Sequence, residues 1–396
     1  MAVHRGPALT VLASLAVAGL PALTRADDGL TVGGHVEAGI TVNPAQPADS
    51  INYGNLFGDK ANQLLLNQAM LDVGRTLEHT PDELTWGFHF QAMVGTDSRY
   101  THDFGELQHL VHSRNQVDIV DADLMLSLPV GDGIDVRLGQ FASPMGAEVI
   151  DATGNSLYSH SYIFVFGLPF KQVGGLAIVH RGAVDLYFGL DTGENGGWTR
   201  SSINNTPVKG MFGAGYATPD GELTLLALAH IGEDHPPIPD GRSGLRYIYD
   251  LTITWKASAS LTFTGDYNYV ADDDLGAIGY GAAHYVTLDL SDGLSATGRA
   301  EIWRDNSGAF VAAYPGYFDY VAAERGQPAV ALSPGRATYG EVTLGLSQKI
   351  SAAGMEDRLI IRPEIRFDGA LNGVRPFNRG RDNHSVTPAV DAILRF

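Results

Sequence analysis

Long and short connections alternate along this chain without a miss, and that alternation limits its fold more tightly than any single motif. The short ones are Glu78–Glu83, Gly131–Gly133, Arg181–Ala183, Thr218–Glu222, Lys256–Ser260, Ser291–Gly293 and Ser351–Asp357. The long ones are Asn43–Asn62, Thr96–Gln116, Ala142–Gln172, Gly193–Pro207, Glu233–Gly244, Ala271–Gly276, Asp305–Ala337 and Gly369–Ser385. Eight long and seven short connections imply about sixteen strands, with both termini on the short-turn side. An up-and-down barrel in a bacterial outer membrane has this arrangement: tight periplasmic turns, long external loops and an even number of strands.

The segments between the connections have period two. Leu30, Val32, Val36, Ala38, Ile40 and Val42 alternate with Thr31, His35, Glu37 and Thr41. Trp86, Phe88, Phe90, Ala92 and Val94 alternate with His89, Gln91 and Met93, and Val120–Leu128 interleaves Asp121, Asp123 and Ser127. No segment carries a run of helical apolar spacing, so the chain reads as all-β. The sharpest case is Arg358–Asp368 (RLIIRPEIRFD). One face holds Leu359, Ile361, Pro363, Ile365 and Phe367; the other holds Arg358, Ile360, Arg362, Glu364, Arg366 and Asp368.

Size decides which face points inward. Sixteen strands spaced ~4.8 Å apart and tilted ~40° close into a barrel roughly 30 Å across. Side chains cannot fill that width with an apolar core, so the charged face is expected to line a water-filled lumen and the apolar face to meet lipid. Tyr247, Tyr249 and Trp255 fall near strand ends, where interfacial aromatics belong. Pro363 and Pro388 each remove a ladder hydrogen bond, which predicts bulges or local water.

The ends fit export. Residues 1–26 carry Arg5, an apolar run from Ala8 to Ala22, and small residues Thr24 and Ala26 ahead of Asp27, as a secretory leader does. That leaves residues 27–396 for the barrel. Cysteine is absent, which a chain this long tolerates without disulfide staples. Net charge is −19, and loss of Arg5 and Arg25 with the leader takes it to −21. So acidic a chain is a poor nucleic-acid binder. The closing run Val386–Phe396 alternates to a terminal Phe396, resembling the signal read by the barrel-assembly machinery. Lipid and lipopolysaccharide are the expected surroundings, and a homotrimer is expected by analogy alone.

Several stretches carry a family resemblance: GQFASPMGAEVID (Gly139–Asp151), NSLYSHSYIFVFGLPFKQVGG (Asn155–Gly175), YFGLDTGENGGW (Tyr187–Trp198), RAEIWRD (Arg299–Asp305) and RPEIRFD (Arg362–Asp368). Their order and spacing resemble the putative β-barrel porin-2 (OmpL-like) family of bacterial outer-membrane proteins. The resemblance implies a large barrel and passive transport, and it brings no catalytic residues. GENGGW departs from the tighter Asn-Gly-Trp-Asp run expected there, so no role carries over to that loop.

A channel selects by width and field. The pore-lining expectation names Asp121, Asp123, Asp135, Arg299, Glu301, Arg358, Arg362, Glu364, Arg366 and Asp368. Acids outnumber bases on the inward parity, predicting a net-acidic lumen that passes small polar solutes or ions. Acids gather on strands four to seven and bases on strands thirteen, fifteen and sixteen. That placement permits a transverse field across the channel; local pairing of each arginine along the wall is the equal alternative.

The connection at residues 142–172, bearing Glu148, Asp151, Tyr158 and Tyr162, is the expected inward-folded constriction. Asp305–Ala337, equally long and aromatic, is the competing plug or lid. His112-Ser113, His160-Ser161 and His384-Ser385 offer weak material for a lipase-like barrel hydrolase, and a plugged structural or adhesive barrel is a third class. Asp272-Asp273-Asp274 reads as a solvated turn ahead of a Ca²⁺ site. No catalytic residue, cofactor or metal site is expected.

Overall fold

The computed structural model describes residues 29–80, 82–103, 106–107, 110–198, 209–234, 244–325, 327–350 and 358–396. The expected leader, residues 1–26, lies outside the described residues, as do parts of several connections.

Sixteen antiparallel strands close into one barrel. They are β1 (Leu30–Thr41), β2 (Leu64–Arg75), β3 (Thr85–Gly95), β4 (Gln116–Leu128), β5 (Ile134–Ala142), β6 (Lys171–Arg181), β7 (Val184–Asp191) and β8 (Lys209–Ala217). Then come β9 (Leu223–Asp234), β10 (Gly244–Ser258), β11 (Leu261–Asp272), β12 (Ala277–Ser291), β13 (Leu294–Asp305), β14 (Ala337–Ile350), β15 (Leu359–Ala370) and β16 (His384–Arg395). Closure joins the two ends of the chain. β1 pairs with β16, and Gly34 and Phe396 exchange backbone hydrogen bonds of 3.1 and 3.0 Å. Every strand edge is thereby paired, as a lipid environment requires.

Side-chain direction follows the size argument. Leu344, Ile365, Phe367, Val386 and Val390 are exposed on the outer surface, while Arg362, Arg366 and Asp391 of the same strands are buried inside. Trp86 stacks near Phe88, and Trp255 stacks on Phe263 at the short-turn end.

Among the described residues four pairings carry a register shift, and the two that lie away from the short turns alter the inward parity in mid-strand. Register shifts opposite Glu37/Ala38, so Asn67 and Gln68 of β2 are both buried. Another shift, between Gln91 and Ala92 of β3, leaves Val120 as the extra residue of β4. Asp118 therefore faces inward on one side of it and Asp121 and Asp123 on the other.

Of the two expectations for the prolines, bulges are not found. β14–β15 pairing passes from Gly345↔Glu364 to Gln348↔Ile361 with no change of register, so Pro363 interrupts the ladder without adding a residue. On its other side it pairs normally with Val390. Pro388 accepts from Val42 N at 2.8 Å just beyond the end of β1, where the ladder stops anyway.

Candidate functional site

L3 (residues 143–170), which joins β5 to β6 at the long-loop end, turns inside the barrel. The expected alternation of long and short connections fails at 273–276, which is shorter than the turn at 76–84 on the other side. A buried irregular loop carries backbone groups that helix or sheet bonding cannot satisfy, so each needs a partner. The charged inward residues of the wall provide them. Tyr158 N and Ser159 N donate to Glu364 at 2.9 and 3.1 Å. Tyr162 N and Ile163 N donate to Glu301 at 2.6 and 2.8 Å. Gly146 N and Ala147 N donate to Asp250 and Asp266 at 2.9 and 3.0 Å.

Arginines serve the carbonyls. Arg362 Nη1 donates to Ala152 O and Asn155 O at 2.9 and 2.7 Å, and Arg366 Nη1 donates to His160 O at 2.5 Å. Arg299 Nη1 donates to Ser159 O at 2.7 Å. The alternating charges of β13 and β15 are therefore sockets for one loop.

Ion pairs tie the same groups together. Glu148 of L3 lies 2.7 Å from Arg299 Nη1, 2.8 Å from His160 Nδ1 and 2.8 Å from the Tyr285 hydroxyl. Burial pushes the Glu148 carboxyl up, but the Arg299 guanidinium and His160 outweigh it and hold it down at about 2. Arg362 pairs with Asp391 at 2.6 Å and Glu37 at 2.9 Å; Arg366 pairs with Asp368 at 2.8 Å. Tyr162 donates to Asp368 at 2.9 Å and stacks on Tyr339. Of the two expectations for the basic wall, this geometry matches local pairing: Arg299, Arg362 and Arg366 each meet a carboxylate and are buried, so they do not present free charge.

Two glycines set how closely L3 approaches. A Cβ on Gly39 would lie 2.5 Å from Tyr158 Cζ, and one on Gly345 would lie 2.5 Å from Leu157 Cδ2. Gly345 adjoins the interrupted ladder at Pro363, so Leu157 packs against the wall there.

The other expected residues form a second group. Asp121 and Asp123 pair with Arg137 on the β4–β5 wall, and Asp135 lies beside His180 at 3.1 Å. Asp151 spans the two groups: it caps Thr153 N at 2.8 Å within L3 and accepts from Gln91 of β3 at 2.9 Å. Arg358 belongs to neither; its carbonyl accepts from Arg395 N at the start of β15.

Inner-wall side chains on β2, β3 and β5–β7 keep partial exposure: Asp72, His89, Arg137, His180 and Asp185. Asp72 is among the acids that parity places inward, whereas His89 and His180 were not singled out from sequence, although strict alternation on β3 already placed His89 inward. Lys171 and its partner Asp118 (2.7 Å) were also missed.

The competing loop takes a different place. In L7 (306–336), Tyr314 and Tyr320 pack edge-on, and Tyr320 meets Tyr100 of L2 (96–115). Arg99 donates to Tyr314 O and Gly316 O at 3.2 and 2.9 Å. L1 (42–63) joins through Phe57, which contacts Tyr100, Phe164 and Phe170. L7 thus packs against L2 at the long-loop end, while L3 lies along the inner wall.

Two of the weaker constellations have structural partners. His160 stacks on Phe164 and holds Glu148, and Ser161 Oγ accepts from Phe164 N. In the aspartate triplet, Asp272 caps Leu275 N and Asp273 accepts from Tyr247, so their oxygens do not converge.

The sequence model of the family described as "Putative beta-barrel porin-2, OmpL-like" matches residues 29–396. No curated protein matches the chain by sequence. Among solved structures the fold is similar to Salmonella typhi OmpF in complex with daunomycin (TM-score 0.58, 10% identity, 94% of this chain and 99% of that one). It is also similar to an anion-selective porin from Comamonas acidovorans (TM-score 0.57, 12% identity, 93% and 99%). A third is the trimer form of OmpT, an outer membrane protein of Vibrio cholerae (TM-score 0.54, 10% identity, 93% and 99%). At these identities the likeness is one of fold.

Proposed function

The chain belongs to the family described as "Putative beta-barrel porin-2, OmpL-like", bacterial outer-membrane channels, and we propose that L3 makes this one a narrow, cation-leaning pore for small polar solutes. The observation that carries the reading is the docking of L3 inside the barrel on Glu364, Glu301, Arg362 and Arg299. That docking takes up the β10–β16 side of the lumen and reaches across to Gly39 of β1 and to Asn67 and Gln68 of β2. Water and solutes then pass along the β2–β7 wall, where Asp72, His89, Arg137, His180 and Asp185 stay partly exposed and L3 contributes Asp151.

Acids outnumber arginines among these exposed groups, and that favours cations. Glu148, Tyr158 and Tyr162 shape the constriction through their wall contacts. Asp121, Asp123 and Asp135 belong to the passage wall; Arg299, Glu301, Arg362, Glu364, Arg366 and Asp368 support L3 from behind. Transport by passive diffusion needs no catalytic group, and the protein is read as a channel without enzymatic activity. Phe396, bonded to Gly34 at the seam, is read as the assembly signal. A homotrimer in lipid and lipopolysaccharide is the assembly proposed, supported by the trimeric OmpT whose fold is similar.

Loop packing favours a second reading. Tyr53, Phe57, Tyr100, Phe164, Tyr314 and Tyr320 form one buried cluster at the long-loop end, as a barrel shut at its outer mouth would need. Planar-bilayer recording of the detergent-folded full chain separates the two. Discrete ohmic steps support the open pore; silence at every voltage supports the closed barrel.

A further inference from the structure

His89 lies on β3 between Asp72 of β2 and the two aspartates Asp121 and Asp123 of β4. Its Nε2 is 2.7 Å from Asp72 Oδ2, so the Nε2–H donates to that carboxylate. In the neutral ring the remaining nitrogen, Nδ1, presents a lone pair, and it lies 3.6 Å from Asp121 Oδ2. Two electron-rich atoms face one another there.

Their neighbours are already committed elsewhere. Asp121 Oδ1 accepts from Ala142 N at 3.0 Å and from Arg137 Nη2 at 3.2 Å. Asp123 Oδ2 accepts from Arg137 Nε. Asp123 Oδ1 is buried with no hydrogen-bond partner, on a side chain with no exposed surface. A buried carboxylate oxygen without a donor is costly. His89 and the two aspartates offer one ligand atom each within 4.8 Å of one another.

We propose that His89 Nδ1, Asp121 Oδ2 and Asp123 Oδ1 bind one divalent transition-metal ion, with Zn²⁺ as the type case. Ligand bonds of about 2.0–2.2 Å in a tetrahedral site put neighbouring donors roughly 3.4 Å apart, close to the observed Nδ1–Oδ2 separation. One imidazole with two carboxylates suits Zn²⁺ or Mn²⁺ ahead of Ca²⁺ or Mg²⁺, which prefer all-oxygen sites. Asp72 is the outer carboxylate that fixes the histidine tautomer, an arrangement usual for metal-bound histidine. Three carboxylates against one guanidinium leave a charge of minus two, which a divalent ion cancels. Side chains of His89 and Asp72 are 30% and 35% exposed, so an ion reaches the site from the lumen. The proposal goes beyond the channel reading and does not rest on it.

The test uses the detergent-folded full chain titrated with Co²⁺ as the spectroscopic probe and Zn²⁺ as competitor, so its outcome is independent of any current. One Co²⁺ per chain is expected, with visible d–d absorption displaced by Zn²⁺. His89→Ala and Asp123→Asn should each abolish the signal. Asp72→Asn should keep one site and weaken Zn²⁺ by about 10–100-fold. Asp220→Asn, on an exposed short turn, should change nothing. Heat-modifiable migration scores folding, and the isosteric Asp123→Asn carries the test if His89→Ala does not fold. Absence of a Co²⁺ signal in the unaltered chain, or its survival in a folded Asp123→Asn variant, overturns the site; His89 would then be an imidazolium held between Asp72 and Asp121.

Discussion

Arg299 on the barrel wall and Glu148 on the inward loop lie 2.7 Å apart, both buried, 151 positions apart in the chain. Arg299 also holds Glu341 at 3.0 Å, so one guanidinium joins L3, β13 and β14. Arg299→Met would leave two buried carboxylates without their cation, and breaking one side of such a pair costs about 3–5 kcal/mol. The expected outcome is a loosened L3: a lower unfolding temperature in detergent and faster proteolysis within residues 143–170. Unaltered protection of L3 would contradict the anchoring role.

Close approach makes Gly39 a second handle. Gly39→Val places new atoms where the Tyr158 ring sits, and Tyr158 also donates to Asn67 at 3.0 Å. Overpacking of this kind costs about 1–3 kcal/mol. Displacement of L3 should appear as noisier single-channel current, with the barrel still folded.

Selectivity should follow exposed charge and ignore buried charge. Asp135→Asn with Asp185→Asn removes two carboxylates that hold His180 at 3.1 and 2.7 Å on the accessible wall. Reversal potentials in a salt gradient should then show weaker cation preference. Arg362→Gln should disturb L3 docking, because Arg362 bonds Ala152 O and Asn155 O. A large selectivity change with L3 intact would restore the transverse field.

Acid and alkali should loosen different loops. Glu148 is held at about 2 against an ordinary 4.5, so it stabilises the folded chain above pH ~4.5 and that contribution is lost as pH falls toward 2. Asp103 in L2 is opposite in sign: burial raises it from 3.8 to about 7, although Lys171 pulls the other way. A carboxyl with a raised value binds its proton more tightly when folded. Its contribution is therefore full below pH ~3.8 and lost as pH rises through 7. Hydrogen exchange should show L3 opening on acidification and L2 loosening between pH 4 and 7.

The barrel was legible because alternation and loop length are local properties: β1, β15 and β16 could be traced residue by residue, and L3 stood out by length and aromatic content. What the wall charges contact was not legible. Glu364 meets Tyr158 N across 206 positions, and no periodicity connects them. Parity arithmetic also fails at a bulge, which is why Asp118 escaped notice while Asp121 did not. His89 was placed on the correct face, but its chemistry arises from neighbours on β2 and β4 whose register only the folded sheet fixes.

Single-channel conductance of the full chain beside a variant lacking residues 152–162 tests the role of L3 most directly. Both are compared as folded, heat-modifiable barrels in the same bilayer and salt. A larger step for the shortened loop is the predicted result. Equal steps from the two proteins would contradict the claim that L3 sets the width of the pore.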